Sequence, residues 1–218
     1  NTKLQGNISF KSQNLVKNYN TNVLEKMNIN DLIFNSFPKI NSSGLVNNYE
    51  FIVKNSNTDS KNSKNYKQDE NINLTGVYQF NSKMPLIKTS ENYQKILTPK
   101  ISLRIAPPHT KDDRNDDSQV DINNIYSLNR LTDNDTVEEG LSLTYGSEYS
   151  IKQQDTFKDL FNLKFANNLR LSESDDLPGR NQLGNKTSNF LSEILLSQND
   201  VIKTKKYESI KNKKKNIK

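Results

Sequence analysis

Phe161-Asn162-Leu163-Lys164-Phe165-Ala166-Asn167-Asn168-Leu169-Arg170-Leu171 is the stretch that decides the fold of this chain. Phe161, Leu163, Phe165, Leu169 and Leu171 fall on one face of an extended chain, and Asn162, Lys164, Asn168 and Arg170 on the other. Period-two alternation marks a strand with one apolar and one wet face. A strand that crosses an outer membrane runs roughly 9–11 residues, tilted, and has this alternation. The stretch therefore poses two alternatives: a piece of a membrane barrel, or a polar soluble chain.

Composition bears on that choice. Of 218 residues, 32% are hydrophobic, and the mean hydropathy is −0.89. A soluble domain this polar has little with which to fill a core, and its default is partial disorder. A barrel avoids the difficulty, because its strands give apolar side chains to lipid on one side and polar ones to the lumen. No segment approaches the roughly 18 apolar residues of a membrane helix. No cysteine is present, which removes disulfides and thiolate metal sites. Asn1 reads as an internal cut, with an export signal expected upstream.

Further alternating segments recur along the chain. They are centred on Leu4–Phe10, Val23–Phe37, Tyr49–Val53, Ile72–Phe80, Ile101–Ile105, Leu141–Ile151 and Phe190–Leu196. With Phe161–Leu171, that makes about eight strand candidates by the alternation rule. Long polar gaps at Asn55–Glu70 and Pro107–Asp135 read as loops on the outer side of an up-and-down barrel, with short turns at the other end. About one residue in six is Asn, which follows from base composition as readily as from function. Lys203 to Lys218 holds eight lysines against one acid, Glu208, so the net charge of +6 belongs to this tail. The tail is expected to be disordered, and it is either native or the product of a truncation or a frameshift. It lacks aromatic interleaving, and no nucleic-acid partner is expected.

The most specific region runs from Asp112 to Gly146. It contains Asn124-Ile125-Tyr126, Asn129-Arg130-Leu131, then Asp135, Val137, Glu138 and Gly140, and a strand ending in Tyr145-Gly146. In order and spacing these resemble the C-terminal barrel of the LPS-assembly outer-membrane proteins, the LptD or organic solvent tolerance family. Leu97-Thr98-Pro99-Lys100 resembles the strand that precedes this loop in the family. Asp133 and Asn134 stand where the family often has Gly-Tyr, Thr136 replaces a frequent Arg, and Glu139 replaces a Gly.

The resemblance implies an all-β fold, an antiparallel up-and-down meander forming part of a large transmembrane outer-membrane β-barrel. Residues 1–200 would be a partial barrel domain, and 201–218 the Lys-rich tail. Eight strands are too few for that barrel, so the sheet is expected to have two open edges. The implied function is insertion of lipopolysaccharide into the outer leaflet from the cell outer membrane. Implied partners are lipopolysaccharide, membrane lipid, a plug lipoprotein in the lumen, and a periplasmic bridge protein reached through a further N-terminal domain. No cofactor and no catalysis are implied. The loop residues marked for a structural role are Asn124, Tyr126, Asn129, Arg130, Asp135, Glu138 and Gly140. Phe161, Leu163, Phe165, Leu169 and Leu171 are expected to face lipid.

Other candidates are weaker. His109, the sole histidine, follows Pro107-Pro108 and has no partner ligands in sequence, so a solvated loop residue is the simpler reading. Asp112, Asp113, Asp116 and Asp117 lack the glycine and terminal glutamate of a calcium loop and read as a solvated acidic loop. Asn41-Ser42-Ser43, Asn73-Leu74-Thr75 and Asn185-Lys186-Thr187 fit the glycosylation pattern, as chance predicts in an Asn-rich chain. Tyr49, Phe51, Tyr78, Phe80, Tyr145, Tyr149 and Phe161 suit interfacial girdles or simple cross-strand packing. The alternative functional class is a soluble or surface β-rich binding module with a basic tail; a third is a mostly disordered chain.

Overall fold

The computed structural model describes residues 5–19, 22–63, 70–108, 113–114, 116–198 and 202–210. Leu4, His109, Asp112, Asn115 and the lysines from Lys211 onward lie outside them. Eleven strands form one antiparallel sheet: β1 (Gly6–Tyr19), β2 (Val23–Ser36), β3 (Lys39–Ile40), β4 (Val46–Lys61), β5 (Asn71–Lys83), β6 (Leu86–Thr89), β7 (Tyr93–Ala106), β8 (Gly140–Gln153), β9 (Asp159–Arg170), β10 (Phe190–Gln198) and β11 (Ile202–Ile210). Nine of them make the wall, in the order β1-β2-β4-β5-β7-β8-β9-β10-β11. The short β3 and β6 fold back on β4 and β7. The wall is thus an up-and-down meander. Among the described residues it is not closed: β1 pairs only with β2, and β11 only with β10.

The register sorts the side chains. Phe34, Phe51, Tyr78, Ile105 and Leu141 stand directly opposite one another across five strands, on what is here called the outer face. Leu97, Tyr149, Leu163 and Ile194 make a second such row. Large apolar side chains on this face stay open: Phe10 is 68% exposed, Ile72 77% and Leu74 69%. Rings pair across strands there, with centroids 5.5 Å apart for Phe34–Phe51 and 5.2 Å for Tyr49–Phe80. The opposite, inner face carries Asp31, Lys54, Ser56, Gln79, Ser102, Arg104, Thr144, Asn168 and Glu193, all buried.

Three expectations need correction. The stretch Asn55–Lys61, read as loop, continues β4 and pairs with β2 throughout. Its alternation is invisible because both faces are polar there. Residues 202–210, read as disordered tail, form β11 against the backbone edge of β10. Ile202, Thr204, Tyr207 and Ile210 supply strand-favouring residues among the lysines. Finally, the segment between β7 and β8 is not a solvated outer loop. Its described part folds onto the inner face, and Asp113, Ser118, Val120, Ile125, Asp135 and Val137 are buried.

Candidate functional site

The inner face and its folded loop make one assembly, built from local turns upward. Asp121 Oδ1 accepts the backbone N–H groups of Asn123 and Asn124 at 2.8 and 3.0 Å, while Asn124 Oδ1 accepts that of Asp121 at 2.8 Å. This reciprocal capping turns the chain and fixes Ile122, Ile125 and Tyr126. Asp116 performs a similar task. Its carboxylate accepts from the Ser118 and Thr132 hydroxyls and from the backbone of Ser118 and Asp133. Burial pushes the Asp116 carboxyl up, but these hydrogen bonds outweigh it and hold the group below the usual range.

Two apolar patches then seat the loop. Val120, Ile122 and Ile125 pack with Ala166, Leu183 and Leu191, with Tyr126 against them. Val137, fully buried, packs with Ile52, Val77 and Ala106, flanked by Ile33 and Leu128. Gly146 on β8 leaves the space that the Tyr126 ring occupies, since a β-carbon there would lie 2.6 Å from the Tyr126 hydroxyl. Burial raises the Tyr126 phenol well above its usual range.

At the centre stands Glu138, with no exposed surface. Arg130 grips it with two bonds, Nε to Oε2 and Nη2 to Oε1, each 2.6 Å. Arg170 of β9 donates to Oε1 at 2.8 Å and to the Glu139 carbonyl at 2.7 Å. Arg104 of β7 approaches Oε1 to 3.8 Å and donates from Nε to the Leu128 carbonyl at 3.1 Å. Arg130 also reaches Asn168 Oδ1 at 3.1 Å and Ser142 Oγ at 3.2 Å. Burial works against the ionised Glu138, yet the charges of Arg130 and Arg104 overcome it and keep the carboxyl below its ordinary value. A second fastening joins Lys54 to Asp31 at 2.7 Å and to the Asn134 carbonyl at 2.5 Å.

Of the loop residues marked from sequence, the structure brings Arg130, Glu138 and Gly140 together. Gly140 has φ +89°, and a β-carbon on it would stand 2.5 Å from Arg170 Nη2. Asn129 braces the same turn, donating to the Thr136 carbonyl at 3.2 Å. Asp135 is buried nearby in sequence. Asn124 and Tyr126 belong to the other patch. Sequence reading missed Arg104 and Arg170. A usable signal was their rarity: the chain has five arginines against 26 lysines, and three of the five converge on Glu138. Phe161, Leu163, Phe165 and Leu169 stand on the outer face of β9, and Leu171 lies exposed just past its end.

Beneath the loop, away from the Glu138 cluster, the inner face encloses an open cavity of about 440 Å³. Asn48, Glu50, Lys83, Lys100, Glu148 and Lys164 are among its walls, and Tyr126 among its roof. Lys100 pairs with Glu148 at 2.7 Å, and Lys164 with Glu193 at 3.1 Å. Among the described residues, no group of three or more His, Cys, Asp or Glu is placed to hold a metal ion.

An antiparallel meander wall, apolar outside and polar inside with a loop packed into it, is the architecture of a transmembrane β-barrel protein. Residues 28–206 match the family model of LptD, LPS transport system D, so the chain belongs to that family. It is a family of outer-membrane β-barrels engaged in LPS transport, a transport and assembly family rather than an enzyme family. Among curated proteins, none matches the chain.

Proposed function

We propose that this chain is a wall segment of the outer-membrane translocon that inserts lipopolysaccharide into the outer leaflet. The two-faced sheet carries the reading. Its outer face offers apolar rows to lipid, and its inner face offers paired charges, carboxamides and hydroxyls to sugars and phosphates. Lipopolysaccharide delivered by a periplasmic bridge protein would keep its saccharide on the inner side and pass its acyl chains outward through a lateral gap. A plug lipoprotein would fill the lumen of the complete barrel beside the folded loop. A soluble binding module would leave the rows through Phe10, Leu74 and Ile105 in water, a far larger apolar patch than soluble surfaces tolerate.

The test is depletion of the full-length protein in its own cell, reading newly made lipopolysaccharide at the surface by labelling. Loss on depletion and recovery with the wild-type chain are expected. Unchanged surface delivery would overturn the reading.

A further inference from the structure

Of the three arginines around Glu138, two are fully engaged and one is not. Arg130 donates from Nε, Nη1 and Nη2, and Arg170 from the same three nitrogens. Arg104 is as deeply buried, with 1% of its surface exposed, yet its Nε alone has a hydrogen-bond partner, the Leu128 carbonyl. Among the described residues, its Nη1 and Nη2 make no hydrogen bond. Nη1 stands 3.8 Å from Glu138 Oε1, an ion pair too long for a hydrogen bond.

The neighbours of Arg104 are committed elsewhere or too small to reach its tip. Glu138 Oε2 is taken by Arg130, and Oε1 by Arg130 and Arg170 together. Ser142, directly across on β8, accepts from Arg130. Gln79, directly across on β5, directs its amide N–H groups to the Tyr126 carbonyl and to Asn81. Along β7 the inner-face neighbours are Ser102 and Ala106. Charge is also left over. The groups that weigh most on Arg104 are Glu138, which attracts it, and Arg130 and Arg170, which repel it. One carboxylate shared by three buried guanidinium groups does not neutralise them, and buried charge without a counter-charge is strongly unfavourable.

We propose that Arg104 holds a small inorganic anion, of chloride's charge and size, enclosed as the loop seats. An anion meets both needs at once. Water can accept from Nη1 and Nη2, but it leaves the surplus charge in place. Enclosure sets the size. Arg104 is not among the walls of the open cavity, and the loop covers it through Leu128 and Glu138, so the position suits a single-atom ion rather than a lipid headgroup. The ion is structural. It steadies the guanidinium whose Nε holds the loop by the Leu128 carbonyl, and it joins Glu138 in neutralising the cluster.

The experiment unfolds the full-length protein in detergent by heat, in sodium chloride and in sodium gluconate at equal ionic strength, gluconate being too bulky for the site. Chloride should raise the unfolding temperature by about 1–4 °C for each tenfold increase above its dissociation constant, and should slow protease cleavage of the loop. The chloride response should vanish in R104M and grow in E138Q, which keeps Arg104 and loses the competing negative charge. An Arg104 variant can fail to assemble for unrelated reasons, so crystals of the wild-type protein grown in bromide give a second reading. Anomalous scattering should place bromide beside Arg104 Nη1 and Nη2. Wild-type unfolding indifferent to the choice of anion, an equal chloride response in R104M, or crystals without bromide at Arg104 would overturn the proposal and leave the transport reading untouched.

Discussion

Glu138 is one carboxylate shared by three guanidinium groups in a site without water access, and it sets the behaviour of the loop. Removing it leaves buried arginine charge uncompensated, which typically costs about 3–5 kcal/mol. The E138Q variant of the full-length protein should therefore lose thermal stability in detergent and expose the loop to protease. The acid response follows with a definite sign. The folded-state pKa of Glu138 is depressed, so its contribution is fully present above the unfolded value and is lost as pH falls through the folded one. Loop protection should survive mild acid, disappear below the ordinary carboxylate range, and show no such step in E138Q. Gly140 makes a second prediction. Alanine there meets both a left-handed backbone and the Arg170 guanidinium, and should destabilise by about 1–3 kcal/mol, measured as a lower unfolding temperature.

Individual strands differ in how openly their sequences declare them. The stretch Phe161–Leu171 announces β9 because most of its outer residues are Phe and Leu and most of its inner ones are Asn, Lys and Arg. Leu163→Lys should cost about 2–4 kcal/mol if the site is mid-bilayer, read as reduced assembly of the full-length barrel. Unaltered assembly would count against the face assigned to it. The outer half of β4 declares nothing. There Asn55 and Asn57 face outward while Ser56 and Thr58 face inward, so hydropathy is flat on both sides and backbone pairing alone defines the strand. The same limit hid β11, whose lysines read as a charge run while its backbone completes the edge of β10. At the site, Arg130 and Glu138 were legible through the order of the loop motif. Arg104 and Arg170 were not, because an inward polar residue on a strand looks like any other until the fold brings a carboxylate to it.

For the molecule as a whole, the open sheet dictates handling. Among the described residues, backbone groups on the free sides of β1 and β11 have no partner in the wall, and the outer rows offer a broad apolar surface. The 218-residue chain made alone should therefore stay dispersed in detergent and aggregate when detergent is withdrawn, followed by size-exclusion chromatography. A compact detergent-free monomer would contradict the barrel reading. The convergence on Glu138 carries a consequence for assembly as well. Its partners come from β7, from the loop and from β9, so the loop cannot lock until both flanking strands have found their places. A seated loop is then a certificate that this stretch of wall was built in the right order, and an unseated one leaves an exposed, protease-sensitive flag on a barrel that stalled halfway.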